Sequence, residues 1–125
     1  MKSTFNKKER LKSKKEIDFL FAEGASISRY PIRLIYKKSV FKENITLRTG
    51  VSVPKRNFKK AVDRNAIKRL LREGYRKNKY LVPNTTHQFT FMFLYSGKEM
   101  PKYAQVESKI KEVLQKFVAQ NIGLK

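Results

Sequence analysis

An α+β sandwich, with helices laid on a small sheet, is the fold class this sequence predicts, and two observations carry that prediction. Residues 13–24, 62–75 and 101–118 place apolar side chains at helical spacing, whereas residues 32–36, 45–53 and 88–95 alternate with period two. The predicted order is α-β-β-β-α-β-α, with the additional strand pairing near residues 45–53. At 125 residues, with no internal repeat and no linker, the chain reads as a single domain spanning 1–125.

Residues 1–12 carry Lys2, Lys7, Lys8, Arg10 and Lys12 with little apolar content, which predicts a basic, mobile arm that orders on a partner. Ser13 and Glu16 fit a capping box, and Ile17, Leu20 and Phe21 follow at helical spacing until Gly24 ends the helix. Phe19 lies off that stripe. Core packing is its favoured use, with a ring offered to a ligand as the alternative. A polar turn leads to a strand with Ile32, Leu34 and Tyr36 on one face and Arg33 on the other, then a loop over residues 37–44.

The strand at 45–53 sets Leu47, Thr49, Val51 and Val53 against a small, polar side of Arg48, Gly50 and Ser52. That side reads either as a groove floor or as a bulge at Gly50. Phe89, Phe91, Phe93 and Tyr95 alternate with Thr90, Met92 and Leu94, so residues 88–95 are apolar on both sides, as a central strand requires. Aromatics at spacing two also suit a stacking platform for single-stranded RNA, but core burial accounts for most of them. The last helix buries Val106, Ile110, Val113, Leu114 and Phe117.

The most informative stretch is residues 55–79, which hold eleven of the thirty basic residues against only Asp63 and Glu73. On a helix Arg64, Lys68, Arg72 and Arg76 form a ladder at spacing four, with Asn65 and Arg69 in the adjacent row. Val62, Ile67, Leu70, Leu71 and Tyr75, with Ala66 and Gly74 at the margins, fall opposite and form a core face. Asn57 is the expected N-cap, with Asp63 able to cap a later start. Cations four residues apart repel by roughly 0.2–0.5 kcal/mol per pair, so the row is costly until a polyanion neutralises it. Arginine outnumbers lysine in the ladder, which suits a two-point grip on phosphate or on guanine edges.

A formal charge of +20 makes nucleic acid the leading partner, with binding that weakens as salt rises. A membrane surface is disfavoured because the apolar stripes are committed to a core. The chain has no Cys, no secretory signal and no membrane-length apolar run, and a cytoplasmic protein is expected. His87 is the only histidine, and no carboxylates or histidines recur at catalytic or metal-binding spacing, so no catalytic or metal-ligating residue is assigned. Side chains alone leave three readings open: a subunit assisting an RNA enzyme, a ribosomal or other structural RNA-binding protein, and a DNA-binding domain, the last lacking a helix-turn-helix pair.

Residues 52–76, SVPKRNFKKAVDRNAIKRLLREGYR, resemble the signature of the bacterial ribonuclease P protein subunit. Arg64 and Asn65 match the start of its Arg-Asn-Arg hallmark, Lys68 and Arg69 its Lys-Arg, and Arg72 the Arg that follows, while Lys55 and Arg56 match the basic pair after the strand. More loosely, Arg10, Leu11 and Lys12, then Phe21 to Gly24, match the family's opening elements. The resemblance implies a left-handed β-α-β crossover through the basic helix, which the general handedness rule would reject. It implies a protein that binds a catalytic RNA subunit and the 5′ leader of precursor tRNA, with Mg²⁺ held mainly by the RNA, and with neither DNA nor membrane as partner. RNA-subunit contacts then fall to Lys55, Arg56, Arg64, Asn65, Lys68, Arg69, Arg72 and Arg76. The leader cleft falls to Ile17, Phe21, Arg33 and Tyr36. Ile17 stands where an aromatic is usual, and Ala66 where the third hallmark residue is Arg.

Overall fold

The computed structural model describes residues 9–11, 13–41, 47–83 and 88–121. Its elements are α1 (Lys14–Glu23), β1 (Ala25–Arg29), β2 (Ile32–Ser39), β3 (Leu47–Ser52), α2 (Ala61–Asn78), a 3-10 turn (Lys79–Leu81), β4 (Gln88–Tyr95) and α3 (Tyr103–Asn121). One sheet runs in the order β1-β2-β4-β3. β1 and β4 flank β2 antiparallel, and β3 lies parallel to β4, joined to it through α2. The predicted element order holds, but the additional strand is β1, ahead of β2, and not a pairing near residues 45–53. The supposed polar turn there is half of a hairpin, Ala25 pairing with Tyr36 and Arg29 with Ile32. β2 also runs three residues beyond Tyr36, to Ser39, because the segment expected as a loop pairs with the start of β4 and the Ser39 and Thr90 hydroxyls meet at 2.7 Å. Residues 42–46, including the expected strand start at Ile45, lie outside the described residues.

Ser13 caps α1 as expected, its Oγ accepting from the Glu16 N–H at 3.3 Å. The Gly24 N–H closes the helix onto the Leu20 carbonyl, and a Cβ at position 24 would sit 2.5 Å from that oxygen and 2.9 Å from Ile35 Cγ2. Close approach therefore selects glycine here, since φ is −76° and asks for no left-handed residue.

The entry to α2 differs from expectation. Asn57 lies in the turn after Pro54, where its Nδ2 donates to the Gly97 carbonyl at 3.4 Å, and Lys60 occupies the N-cap without a side-chain bond. Arg64 holds the incoming chain instead, its Nη1 donating to the carbonyls of Phe58 at 2.8 Å and Lys59 at 3.0 Å. Phe58, buried against Tyr95, fills the core at this end, which leaves Val62 70% exposed and off the face assigned to it. Farther along, Ile67, Leu71, Gly74, Tyr75 and Asn78 face inward. Gly74 lets α3 approach, since a Cβ there would meet Ile110 Cδ1 at 2.8 Å, and buried Asn78 donates to the Gly74 carbonyl and to Glu107.

Two apolar layers result. The larger lies between the sheet and α2 with α3, and it takes Ile32 and Leu34 of β2, Phe89, Phe91, Phe93 and Tyr95 of β4, and the whole predicted stripe of α3. The smaller lies under α1 and takes Leu11, Leu20, Ile35 and Met92. β4 is central and buried on both faces, as its double alternation requires. Phe117 is the hub of the larger layer, edge-on to Tyr36 and Phe89 at 5.0 Å and to Phe91 at 4.8 Å. Phe117→Ala is expected to cost about 3–5 kcal/mol, read from urea denaturation of the full chain.

Candidate nucleic-acid interface

The exposed side of α2 carries the cationic ladder. Asn65, Arg69 and Arg72 are exposed, and Arg64, Lys68 and Arg76 are half-buried. Their electrostatic states differ. Arg76 forms a two-point pair with Glu73, Nε to Oε1 at 2.9 Å and Nη2 to Oε2 at 2.7 Å. That bond holds the Glu73 carboxyl below its usual range and raises Arg76. Arg69 and Arg72 enter no ion pair among the described residues. Partial burial lowers the Arg72 pKa, and Arg10 and Arg69 nearby lower it further, so this side of α2 holds crowded positive charge that an anion would relieve.

Arg10 reaches this cluster because residues 9–11 are fastened, which corrects the mobile-arm expectation for that part of the arm. Arg10 bridges to Thr49 alongside β3, the Leu11 N–H donates to the Thr49 carbonyl at 2.8 Å, and Glu9 pairs with Lys79 at 2.8 Å. Leu11 is what occupies the small side of β3: a Cβ on Gly50 would lie 3.2 Å from Leu11 Cβ. Gly50 thus admits the protein's own chain at that point. Residues 1–8 and Lys12 lie outside the described residues.

The second basic surface is on the opposite face of the sheet, beside α1. Leu20 seats α1 on Ile35 and Met92. Phe19 leans to the Lys37 side, with Nζ 5.2 Å from its ring centre; at 55% exposure it is a surface ring, contrary to the core packing favoured for it. At 100° per residue, Ile17 and Phe21 then fall on the other flank, where Ile17 packs against Leu11, Leu20, Ile35 and Met92. Phe21 is 47% exposed, and Arg33 is exposed and bonded to Ser26 Oγ at 3.2 Å. A separate hollow of about 270 Å³ is lined by Arg33 and Leu94 together with Tyr30, Asn57 and Arg56.

The sequence-assigned residues therefore regroup. Arg56 shares a hollow with Arg33 and not with the α2 ladder; Lys55 is exposed in the same loop. Tyr36 does not join Ile17, Phe21 and Arg33. Strand alternation turns its ring through the sheet onto Phe117, so it is a core residue beside the large layer. Sequence reasoning missed a groove of about 610 Å³ between α2, the first turn of α3 and Arg10, lined also by Leu70, Lys77 and Tyr103. The predicted stripe of α3 omits Tyr103, although it stands three residues before Val106 and seven before Ile110 and so continues it; the spacing could have found the residue but not the groove. No three His, Asp or Glu side chains gather to hold a metal among the described residues, and no helix there is long and apolar enough to cross a membrane. His87 lies outside them.

These features define a small basic α+β domain that displays a cationic helix on one side of its sheet and an arginine-lined cleft on the other. The ribonuclease P family model matches residues 5–118. The chain is 34% identical over 113 residues to the ribonuclease P protein component of Porphyromonas gingivalis, covering 87% of this chain and 82% of that one. It is also 34% identical over 122 residues to that of Petrotoga mobilis, covering 93% and 97%. Among solved structures, the RNase P protein from Thermotoga maritima superposes with a TM-score of 0.71 at 26% identity, over 86% of this chain and 96% of that one. The Staphylococcus aureus RNase P protein shares the fold, with a TM-score of 0.69 at 22% identity over 86% and 93%. The chain belongs to the ribonuclease P protein family.

Two outcomes follow from this geometry. Tyr36→Ala is expected to lower stability by about 1–3 kcal/mol, whereas Phe21→Ala changes it by less than about 0.5 kcal/mol, both read from urea midpoints. Because the Glu73 pKa is lowered, its pairing contributes above the ordinary carboxylate range and fades as pH falls through the lowered value. Carboxyl-carbon NMR of Glu73 should show that low titration, and Arg76→Ala should return it to the ordinary range.

Proposed function

We propose that this chain is the protein subunit of ribonuclease P: it binds the catalytic RNA subunit through the exposed side of α2, and the 5′ leader of precursor tRNA along the sheet face beside α1, promoting endonucleolytic removal of the leader. The single observation that carries this reading is the pair of unneutralised guanidiniums, Arg69 and Arg72, beside Asn65 and Lys68 on a helix whose other side is sealed into the core. Family membership supplies the context.

In this reading Arg64 both fixes the entry to α2 and offers its remaining donors to RNA, since Nη1 alone makes its two backbone bonds. Lys55 and Arg76 extend the phosphate contacts at either end, while Ile17, Phe21, Arg33 and Arg56 guide the leader. Phe21 offers its ring to an unstacked base, and the two arginines flank the phosphate path. Bond breaking and the Mg²⁺ it needs are assigned to the RNA subunit, as the resemblance to the family implies. The protein's contribution is to hold and orient two RNAs.

Added to the RNA subunit at low Mg²⁺, the chain should restore leader cleavage; a flat result with an RNA active at high Mg²⁺ would discard the reading. Arg69→Ala and Arg72→Ala should each weaken assembly and reduce the slope of log K against log salt by about 1. Phe21→Ala and Arg33→Ala should weaken binding of leader-bearing substrate while sparing mature tRNA. Ala66→Arg, which supplies the hallmark residue absent here, should tighten assembly by about 1–3 kcal/mol if that position meets phosphate; unchanged assembly places Ala66 away from RNA.

A further inference from the structure

The groove between α2 and the first turn of α3 shares Arg69 and Arg72 with the surface described above, but its concave shape and its aromatic wall have no part in that reading. Its volume of about 610 Å³ falls within the roughly 300–1,000 Å³ typical of small-ligand sites. One rim is cationic, with Arg69 and Arg72 unpaired among the described residues and Arg10 beside them. The opposite wall is apolar and aromatic, made by Leu70 and Tyr103. Lys77 Nζ lies 5.8 Å from the centre of the Tyr103 ring. The Tyr103 hydroxyl is buried, so what the residue offers the groove is the side of its ring. Glu73, the acid of the groove, is occupied by its two-point pair with Arg76.

A helical RNA backbone needs only a convex basic surface, which the ladder already provides. A concave site with guanidiniums at one rim and a ring and an aliphatic wall at the other matches a phosphate joined to a flat base. A base stacked within a duplex cannot enter it. We propose that this groove captures a single unstacked nucleotide of the RNA that α2 binds, its phosphate on Arg69 and Arg72 and its base between Leu70 and the Tyr103 ring. This rests on the reading that α2 faces the RNA subunit.

Two arms test it. With the full chain alone, guanosine or adenosine 5′-monophosphate is titrated against ribose 5-phosphate and inorganic phosphate while the backbone amides of Leu70, Glu73, Lys77 and Tyr103 are followed by NMR. The nucleotides should saturate these shifts at concentrations about tenfold lower than ribose 5-phosphate, the scale of one base stacked on one ring. Tyr103→Ala should abolish the difference, and Tyr103→Phe, which keeps the ring, should retain it; loss of the difference in Tyr103→Phe would overturn stacking on the ring. Equal binding of all four ligands would overturn the proposal, leaving a cluster of cations only. In the second arm a photoreactive benzoylphenylalanine replaces Tyr103 in the complex with the RNA subunit, and the crosslink should map to one unpaired nucleotide. A complex that assembles normally but crosslinks nowhere, or along helical segments, overturns the RNA-borne nucleotide and leaves a free-nucleotide site where the first arm is positive. Failure of the complex to assemble instead sinks the proposed function and overturns the RNA-borne nucleotide with it, while the first arm still decides whether a base is recognised.

Discussion

The edge-on packing of Phe117 against Phe89, Phe91 and Tyr36 sets the position of α3 on the sheet. α3 in turn sets the position of α2, because Gly74 removes the one Cβ that would hold Ile110 away and Asn78 ties the two helices through Glu107. β4 supplies most of those rings, and it can do so only because both its edges are paired and both its faces are covered. The orientation of every cation on α2 follows from this uncharged interior. A helix whose inner side is buried so completely has one rotational setting, and its arginines inherit it.

The opposite requirement comes from charge. A net +20 resists compaction, and the molecule manages it by sending cations to two surfaces separated by the sheet. Some are spent on architecture: Arg64 on the carbonyls ahead of α2, Lys79 on Glu9, Arg76 on Glu73. Arg69 and Arg72 are not. Their mutual repulsion, sharpened by the partial burial of Arg72, is a cost that the isolated protein carries.

Much of this was legible beforehand, and the gaps have physical causes. Helices and strands with strong periodicity were found because burial imposes period: the stripe of α3 and the doubly apolar β4 left little choice. β1 was invisible because Ala25–Arg29 contains one buried apolar residue, Ile27, among small polar ones, and an edge strand held by its neighbour needs no more. Val62 was misplaced because spacing cannot reveal that Phe58, outside the helix, already fills that end of the core. Tyr36 was assigned to the cleft on the likeness of an aromatic, although its own alternation with Ile32 and Leu34 put it on the buried face. The groove at Tyr103 joins three segments distant in sequence, and no local pattern encodes such a meeting.

One small feature reaches beyond the site. β3 ends the sheet, and its outer edge is met by the short bridge at Arg10 and Leu11. An open strand edge invites a neighbour's backbone to add on and start a filament. By laying two of its own residues there, one of them a cation, the polypeptide blunts that invitation, so crowded copies of the protein lack a free backbone to template on at that point.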